Sequence, residues 1–593
     1  MSPRQPRSLR VLWALTAIAA GVLVAAISHA QARIGGAGAN LLFWLSITLI
    51  VFPAALTLLG QGPKRGERVT LVVSVGLGLY AVKVLRDPFA FTFGDELAHF
   101  HNLQEIDRTG ELYGTNSILP VTPRYPGLEA VTQGVSETGT DSLFTAGVLM
   151  IAAARTAFML AVYLICERIT GSVRSASVAA LISTAAPTFL FFSSQFSYES
   201  LAVPLAAVAV FTVVRRQSAV DIHEQRRWGA LLIVLGTAVS CTHHLTSYAL
   251  LAFLFLVCVL TSIHERPREA PWLETGVLTA ITAAILLFVA SDTVGYLSPV
   301  LGDALSSIRD TITRETGPRG LFKATGGVEQ TPAAERLVAL TAVAMLAVAI
   351  LAGIAAQWRL WRGSAVTTLV AIGSLAYLGT QPARLIPAAW ETANRASSVL
   401  FVMVGATASA GLLWWLDRSS RRPARRQAVT AAVILWLIAG GIIAGWPESL
   451  RLAQPYRVTD AGRTTMPPQV NAAAWARTHL PQTMRIGGQS ADAQLLVTVG
   501  RMTAFQGINP NVRAVLDGER IEPWHRDVLR QNRIALLATD RRPISANNIG
   551  GYFFDRGRPE LAAAITAEKF DLATTDRLYD NGPLVIFYVK DLW

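Results

Sequence analysis

Apolar runs of about 17–24 residues, the length that crosses a bilayer's hydrocarbon as a helix, recur along most of this chain. They fall at 11–29, 41–60, 69–86, 143–166, 175–193, 200–214, 228–242, 247–263, 274–291, 336–356, 364–380, 396–416 and 427–446, those at 200–214 and 228–242 being shorter, at 15 residues each. They predict an α-helical polytopic membrane protein with about thirteen transmembrane helices. Composition agrees: hydrophobic residues make up 52% and charged residues 16%, against about 25% charged in soluble domains. The net charge of +12 matters through its placement more than its sum, so it speaks to topology and gives no reason to expect nucleic acid. Cys166, Cys241 and Cys258 lie in or beside apolar runs without metal-ligand spacing, which reads as buried free thiols.

Arg and Lys set the expected orientation. Arg4, Arg7 and Arg10 precede the first run. With that end inside, alternation puts in the cytoplasm the loops that carry Lys64, Arg65 and Arg68; Arg168 and Arg174; Arg215, Arg216, Arg226 and Arg227; Arg266 and Arg268; Arg359 and Arg362; and Arg418 to Arg426. Every predicted inside loop is basic, as the positive-inside rule requires. The expected location is a bacterial cytoplasmic membrane, with a cytoplasmic N-terminus and an extracytoplasmic C-terminal segment. Ser28-His29-Ala30 has the small-residue look of a signal cleavage site, but the apolar stretch is long for a signal and reads as a retained helix.

The outer side collects the polar residues. The first outer loop, 87–142, contains Phe93-Gly94-Asp95-Glu96-Leu97-Ala98-His99-Phe100-His101. Leu97, Phe100, Leu103, Ile106 and Leu112 then follow with the spacing of an amphipathic surface helix. A turn-rich Pro123-Arg124-Tyr125-Pro126-Gly127 comes next. Further outer loops are expected at 292–335 and 381–396. Short outer connections carry Gln195, Tyr198 and Glu199; His243, His244 and Tyr248; and Arg384, Glu391, Asn394 and Arg395. Ionisable groups at this depth are costly unless paired or hydrated, and they commonly line a cavity. Each also has an ordinary reading. Asp95-Glu96 suits a helix N-terminus, His243-His244 an interface, Arg395 a snorkelling cation and Glu199 a helix cap. Adjacent histidines do not share one helix face as metal ligands would. Placement on one side of the bilayer is what joins these residues.

With an Asp-Glu pair just after a transmembrane helix, a surface helix behind it, many spans and an extracytoplasmic C-terminal segment, the chain resembles the GT-C membrane glycosyltransferases. These include protein mannosyltransferases, aminoarabinose transferases and mycobacterial arabinosyltransferases. Glu391-Thr392-Ala393-Asn394-Arg395-Ala396 and His243-His244-Leu245-Thr246-Ser247 resemble segments of actinobacterial members. The resemblance covers roughly residues 1–450. It implies a polyprenyl-phosphate-linked sugar donor, an extracytoplasmic glycan, lipid or protein acceptor, and a catalytic carboxylate in the first outer loop. Asp95 matches that position, with Glu96 beside it. A carboxylate can take the acceptor's proton. The leaving lipid phosphate calls for cations and donors: Arg395 first, then Arg384 and Arg124, with His243 or His244. Glu199, Tyr198, Glu391 and Asn394 are candidates for orienting these groups or touching the acceptor. Some members need a divalent cation (Mn, Mg or Ca); Asp95 and Glu96 would be its ligands, and the sequence leaves this open.

After Trp446-Pro447 the apolar runs stop. The pattern predicts a division into a membrane part, 1–446, and a small α/β domain, 447–593. That domain has a helix from Asn471 to Leu480, strands at 485–486, 534–538 and 584–589, and a turn at Asp580-Asn581-Gly582-Pro583. Rival readings are a transporter or flippase, which would more often show inverted repeats, a polymerase or ligase of polyprenyl-linked glycans, and an inactive scaffold of the same fold.

Overall fold

The computed structural model describes residues 7–140, 142–264, 269–295, 331–386, 389–418, 423–446, 451–453, 465, 467–488, 490–506, 515–516, 520–540, 569–571 and 574–593. Most of the expected loop 292–335 therefore lies outside the described residues. The membrane part is a helical bundle: α1 (Arg7–Arg33), α2 (Ala39–Leu58), α3 (Arg65–Arg86), α4 (Gly94–Thr109), α5 (Gly127–Gly139), α6 (Leu143–Thr170), α7 (Val173–Ser183), α8 (Tyr198–Gln217), α9 (Ile222–Thr242), α10 (His244–His264), α11 (Trp272–Ala284), α12 (Ala333–Ala356), α13 (Ala365–Thr380), α14 (Trp390–Asp417) and α15 (Pro423–Gly445). Starts follow local chemistry. Ser142, Ser172, Asp221 and Ser364 each accept a first-turn amide at the N-cap of α6, α7, α9 and α13.

All thirteen apolar runs are helical in whole or part, but among the described residues ten helices are long and apolar enough to span a membrane. Three runs fall short. The run at 175–193 stops being helical at Ser183, and α7 has only 11 residues. The run at 228–242 is the apolar end of α9, whose start carries Glu224, Arg226 and Arg227. The run at 364–380 forms the 16-residue α13.

Past the end of α7 the chain stays inside the bundle without being a helix. Residues 184–197 form turns and a single 3-10 turn there, and most of them are buried. Non-helical backbone is tolerated at such depth only when protein satisfies its polar groups. Arg155, on α6, donates from Nη2 to the Phe189 carbonyl at 2.6 Å and from Nη1 to the Ser193 carbonyl at 3.3 Å. Its guanidinium lies 3.5 Å from the Phe189 ring centroid and has no acidic partner among the described residues. On the other side the segment rests on glycines of α15. A Cβ on Gly441 would come within 2.0 Å of the Ala185 carbonyl oxygen, and one on Gly445 within 1.6 Å of that of Pro187.

Basic loops meet at one end of the bundle. Arg65 pairs with Glu167, Arg68 binds the Leu58, Gly60 and Pro63 carbonyls, and Arg174 pairs with Asp417 and binds the Leu59 carbonyl. Cys166, Cys241 and Cys258 are all free thiols; Cys241 is only half-buried.

The last part of the chain forms a mixed sheet: β1 (Arg485–Gly488), β2 (Thr503–Gln506), β3 (Ile534–Asp540), β4 (Asp576–Asp580) and β5 (Leu584–Tyr588), in the order β2-β1-β3-β5-β4. β1 runs parallel to β2 and β3, while β5 is antiparallel to β3 and β4. The 580–583 turn joins β4 to β5, with Gly582 at φ +87°, a conformation that favours glycine. Helices α16 (Pro467–His479), α17 (Ser490–Thr498) and α18 (Pro523–Gln531) accompany the sheet. Every residue of β3 is buried, as expected of a strand covered on both faces.

Candidate functional site

The site is built on α4. Its first residues are Gly94, Asp95 and Glu96, and carboxylates are favoured where a helix exposes unpaired amides. The amphipathic face does not simply lie on a surface. Leu97 packs into the C-terminal sheet core with Ala473, Ile486 and Leu496. Leu103 packs with Leu128, Met150 and Phe196. The Thr498 hydroxyl donates to the Leu97 carbonyl at 3.2 Å, and the Gln494 amide lies against Gly94. The first turn of α4 is thus held between the bundle and α17.

The two adjacent carboxylates have opposite environments. Glu96 is fully buried and pairs with Lys83 of α3. It also accepts from the backbone amides of Thr92 at 3.2 Å, Phe93 at 3.3 Å and Phe196 at 3.2 Å. Asp95 is exposed and makes no hydrogen bond or ion pair among the described residues. A cation shared by the pair does not fit this arrangement, because it would have to displace Lys83 from Glu96. Among the described residues there is also no group of three or more His, Cys, Asp or Glu side chains that could hold a metal ion.

Four residues after Asp95, on the same helix face, stands His99. Its Nδ1 is 2.6 Å from Glu129 Oε1 on α5, and its Nε2 accepts from the Tyr198 amide at 3.4 Å. The His99 ring meets the Tyr198 ring edge-on at 4.4 Å, and Tyr198 stacks on His243 at 4.3 Å. His244 lies 5.0 Å from His243 and 5.1 Å from Tyr125. The two histidines straddle a helix break: His243 ends α9 in an extended conformation and His244 begins α10. His243 is buried, and its Nδ1 faces the Thr246 hydroxyl at 2.7 Å. Asn102 donates to Thr122 and Glu129, and Asn116 donates to Asn102, closing a buried polar network beneath α4. Tyr125 is bonded to Thr293 at 3.2 Å, and burial pushes its phenol up to about 12.

Glu199, in the first turn of α8, accepts from Ser398 at 3.0 Å and lies 3.9 Å from Arg395, whose side chain is 30% exposed. Arg384 donates to Asn394 Oδ1 at 3.2 Å. Arg124 pairs at the surface with Asp292 at 3.2 Å. The side chain of Glu391 lies outside the described residues.

Tyr198, Glu199, His243, His244 and Arg395 therefore converge, with Asn394 and Arg384 alongside, while Arg124 is engaged separately. Sequence reasoning gave no part to Lys83, His99, Glu129 or Ser398. Lys83 is the lone charge inside the apolar part of α3, a flag for function or pairing. His99 stands one turn beyond Asp95. Nothing in the sequence singles out Glu129 or Ser398.

No family model matches the chain, and no curated protein does. Solved structures do. The oligosaccharyltransferase of Archaeoglobus fulgidus, in a complex with Zn and sulfate, superposes with a TM-score of 0.54 at 13% identity, over 80% of this chain and 68% of that one. ArnT from Cupriavidus metallidurans bound to undecaprenyl phosphate superposes with a TM-score of 0.50 at 14% identity, over 88% of this chain and 97% of that one. The chain is a polytopic helical membrane protein with a small C-terminal mixed sheet, and its fold is GT-C-like. At these identities the likeness concerns the fold.

Proposed function

We propose that the protein is a glycosyltransferase that takes a sugar from a polyprenyl-phosphate donor and passes it to an acceptor outside the cytoplasm. One observation carries the reading: an exposed Asp95, with no hydrogen bond or ion pair among the described residues, stands one turn from His99, whose partner Tyr198 adjoins the Glu199 and Arg395 pair. The acceptor hydroxyl attacks the anomeric carbon while the bond to the lipid phosphate breaks. The phosphate leaves with the bonding electrons, and Asp95 takes the hydroxyl proton. General base catalysis of this kind contributes about 10²–10⁴-fold. Arg395, with His243 and His244 nearby, receives the negative charge on the phosphate. Glu199 orients Arg395. Arg384 and Asn394 extend the same side, and Arg124 stands at the rim. The neighbour bound to undecaprenyl phosphate supports a donor of that chemical class. The basic loops that meet at the other end of the bundle support an extracytoplasmic site, with the N-terminus in the cytoplasm. The division into residues 1–446 and 447–593 belongs to the same reading, with the C-terminal part backing α4.

Asp95→Asn tests it. The variant should be expressed and as heat-stable as the parent, yet transfer no sugar in a screen of polyprenyl-phosphate sugars scored by product mass. Undiminished transfer by this variant rejects Asp95 as the base.

A further inference from the structure

The buried Glu96 and His99 are ionisable groups that the proposed chemistry does not use. They lie three residues apart on α4 and so on neighbouring positions of one face. Glu96 Oε1 accepts the amide of Phe196, and His99 Nε2 accepts the amide of Tyr198. These amides are two residues apart in the extended stretch that leads into α8, where Gln195 and Ser197 both have β-type backbone angles. Each acceptor is backed by a charged group from another helix, Lys83 of α3 behind Glu96 and Glu129 of α5 behind His99. Glu129 on Nδ1 fixes the tautomer that leaves the Nε2 lone pair for Tyr198. Phe91 stacked on Phe196 at 4.9 Å adds a packing contact at the same place.

We propose that Glu96 and His99 form a two-point latch that sets the register of α8 against α4, and that both are positioning residues. The latch fixes where Tyr198 and Glu199 stand relative to Asp95, and through Glu199 where Arg395 stands. It explains why an Asp-Glu pair occurs here: the first carboxylate faces outward for chemistry and the second faces inward to hold the opposing wall. The catalytic consequence rests on the reading of Asp95 as base, whereas the latch itself does not.

The test has two arms. Hydrogen exchange measured on peptides covering 194–200 reads the latch without any substrate. Glu96→Ala and His99→Ala should each speed exchange of the Phe196 and Tyr198 amides by at least about 10-fold, since about 1.4 kcal/mol corresponds to that factor. His99→Gln and Glu96→Gln, which keep an acceptor oxygen, should restore part of the protection. In the kinetic arm, misplacement by about 1 Å lowers kcat by about 10²-fold. The Ala variants should show that loss with donor KM and the acidic limb of the pH profile unchanged. The double variant should lose less than the product of the single losses. Unchanged exchange in the Ala variants overturns the latch. A shift of the acidic limb in Glu96→Gln also overturns it, by making Glu96 a proton-transfer group. If the Ala variants fail to fold, the Gln variants decide by the same readouts. Altered exchange together with an active Asp95→Asn variant rejects the base assignment and leaves the latch standing.

Discussion

Lys83→Met removes the counter-charge from a carboxylate that has no exposed surface. An ion buried without its partner carries an effective penalty of several kcal/mol, and breaking a buried pair in this way typically costs about 3–5 kcal/mol. Three backbone amides at 3.2, 3.3 and 3.2 Å still point at Glu96. At these lengths they offset part of the loss, at about 1 kcal/mol each, which puts Lys83→Met near the lower end, about 3 kcal/mol. Glu96→Gln leaves Lys83 unpaired at 7% side-chain exposure. Its place in the last turn of α3, where a cation is favoured by about 0.3–1 kcal/mol, offsets little. Lys83→Met combined with Glu96→Gln removes both charges and keeps an acceptor for the amides. The double variant should therefore be more stable than the sum of the single losses predicts, with a coupling of about 2–3 kcal/mol. Apparent unfolding midpoints of the four proteins, purified in one detergent and heated at one rate, measure this. Additive losses, or a Lys83→Met variant that melts with the parent, would refute the view that Glu96 depends on Lys83.

His101 is held below its ordinary range, first by burial and then by Arg501 and Arg108, with Glu105 acting the other way. A depressed histidine gives stability that is complete above its unfolded value of about 6.5 and is lost as pH falls through the folded value. His101→Gln should therefore lose less of its melting midpoint than the parent between neutral and mildly acidic pH. Gly445→Ala would force a methyl into the Pro187 carbonyl and should cost about 1–3 kcal/mol or more. Gly134→Ala on α5, where a Cβ meets nothing within 4 Å, should be neutral or stabilising by up to about 1 kcal/mol. Melting midpoints compare the two.

Hydropathy reads transfer into lipid, and among the described residues it found every helix long and apolar enough to span, because a span must be apolar along its length. It does not read conformation. The run at 175–193 is apolar enough to read as a span, yet Ala185-Ala186-Pro187-Thr188 leaves the helix, and what makes this possible is Arg155 from α6 and two glycines of α15. These are long-range partners that no local pattern encodes. The site was legible where one signal was local. Asp95-Glu96 stood out after a span, but their opposite burial depends on Lys83 and on the Phe196 amide, 100 residues away. His243-His244 stood out as a pair, while the stacking of His243 on Tyr198 is tertiary. Helix α4 was legible as amphipathic, but its apolar face meets the C-terminal core as well as the bundle, and no periodicity announces that division.

Arg155 bears on how the chain enters the membrane. During synthesis Arg155 leaves the ribosome 34 and 38 residues ahead of the Phe189 and Ser193 carbonyls it will bind, so its mid-helix cation reaches the bilayer before they do. A lone arginine at that depth opposes insertion by about 2.5–3.5 kcal/mol. Lys83 faces the same order of events, since Glu96 comes 13 residues after it. Both cations are made before their partners, and in both cases the partners lie on the chain next to emerge. The irregular stretch ahead of α8 is thus a fastening applied late, one that settles α6 in the bundle as Glu96 settles α3.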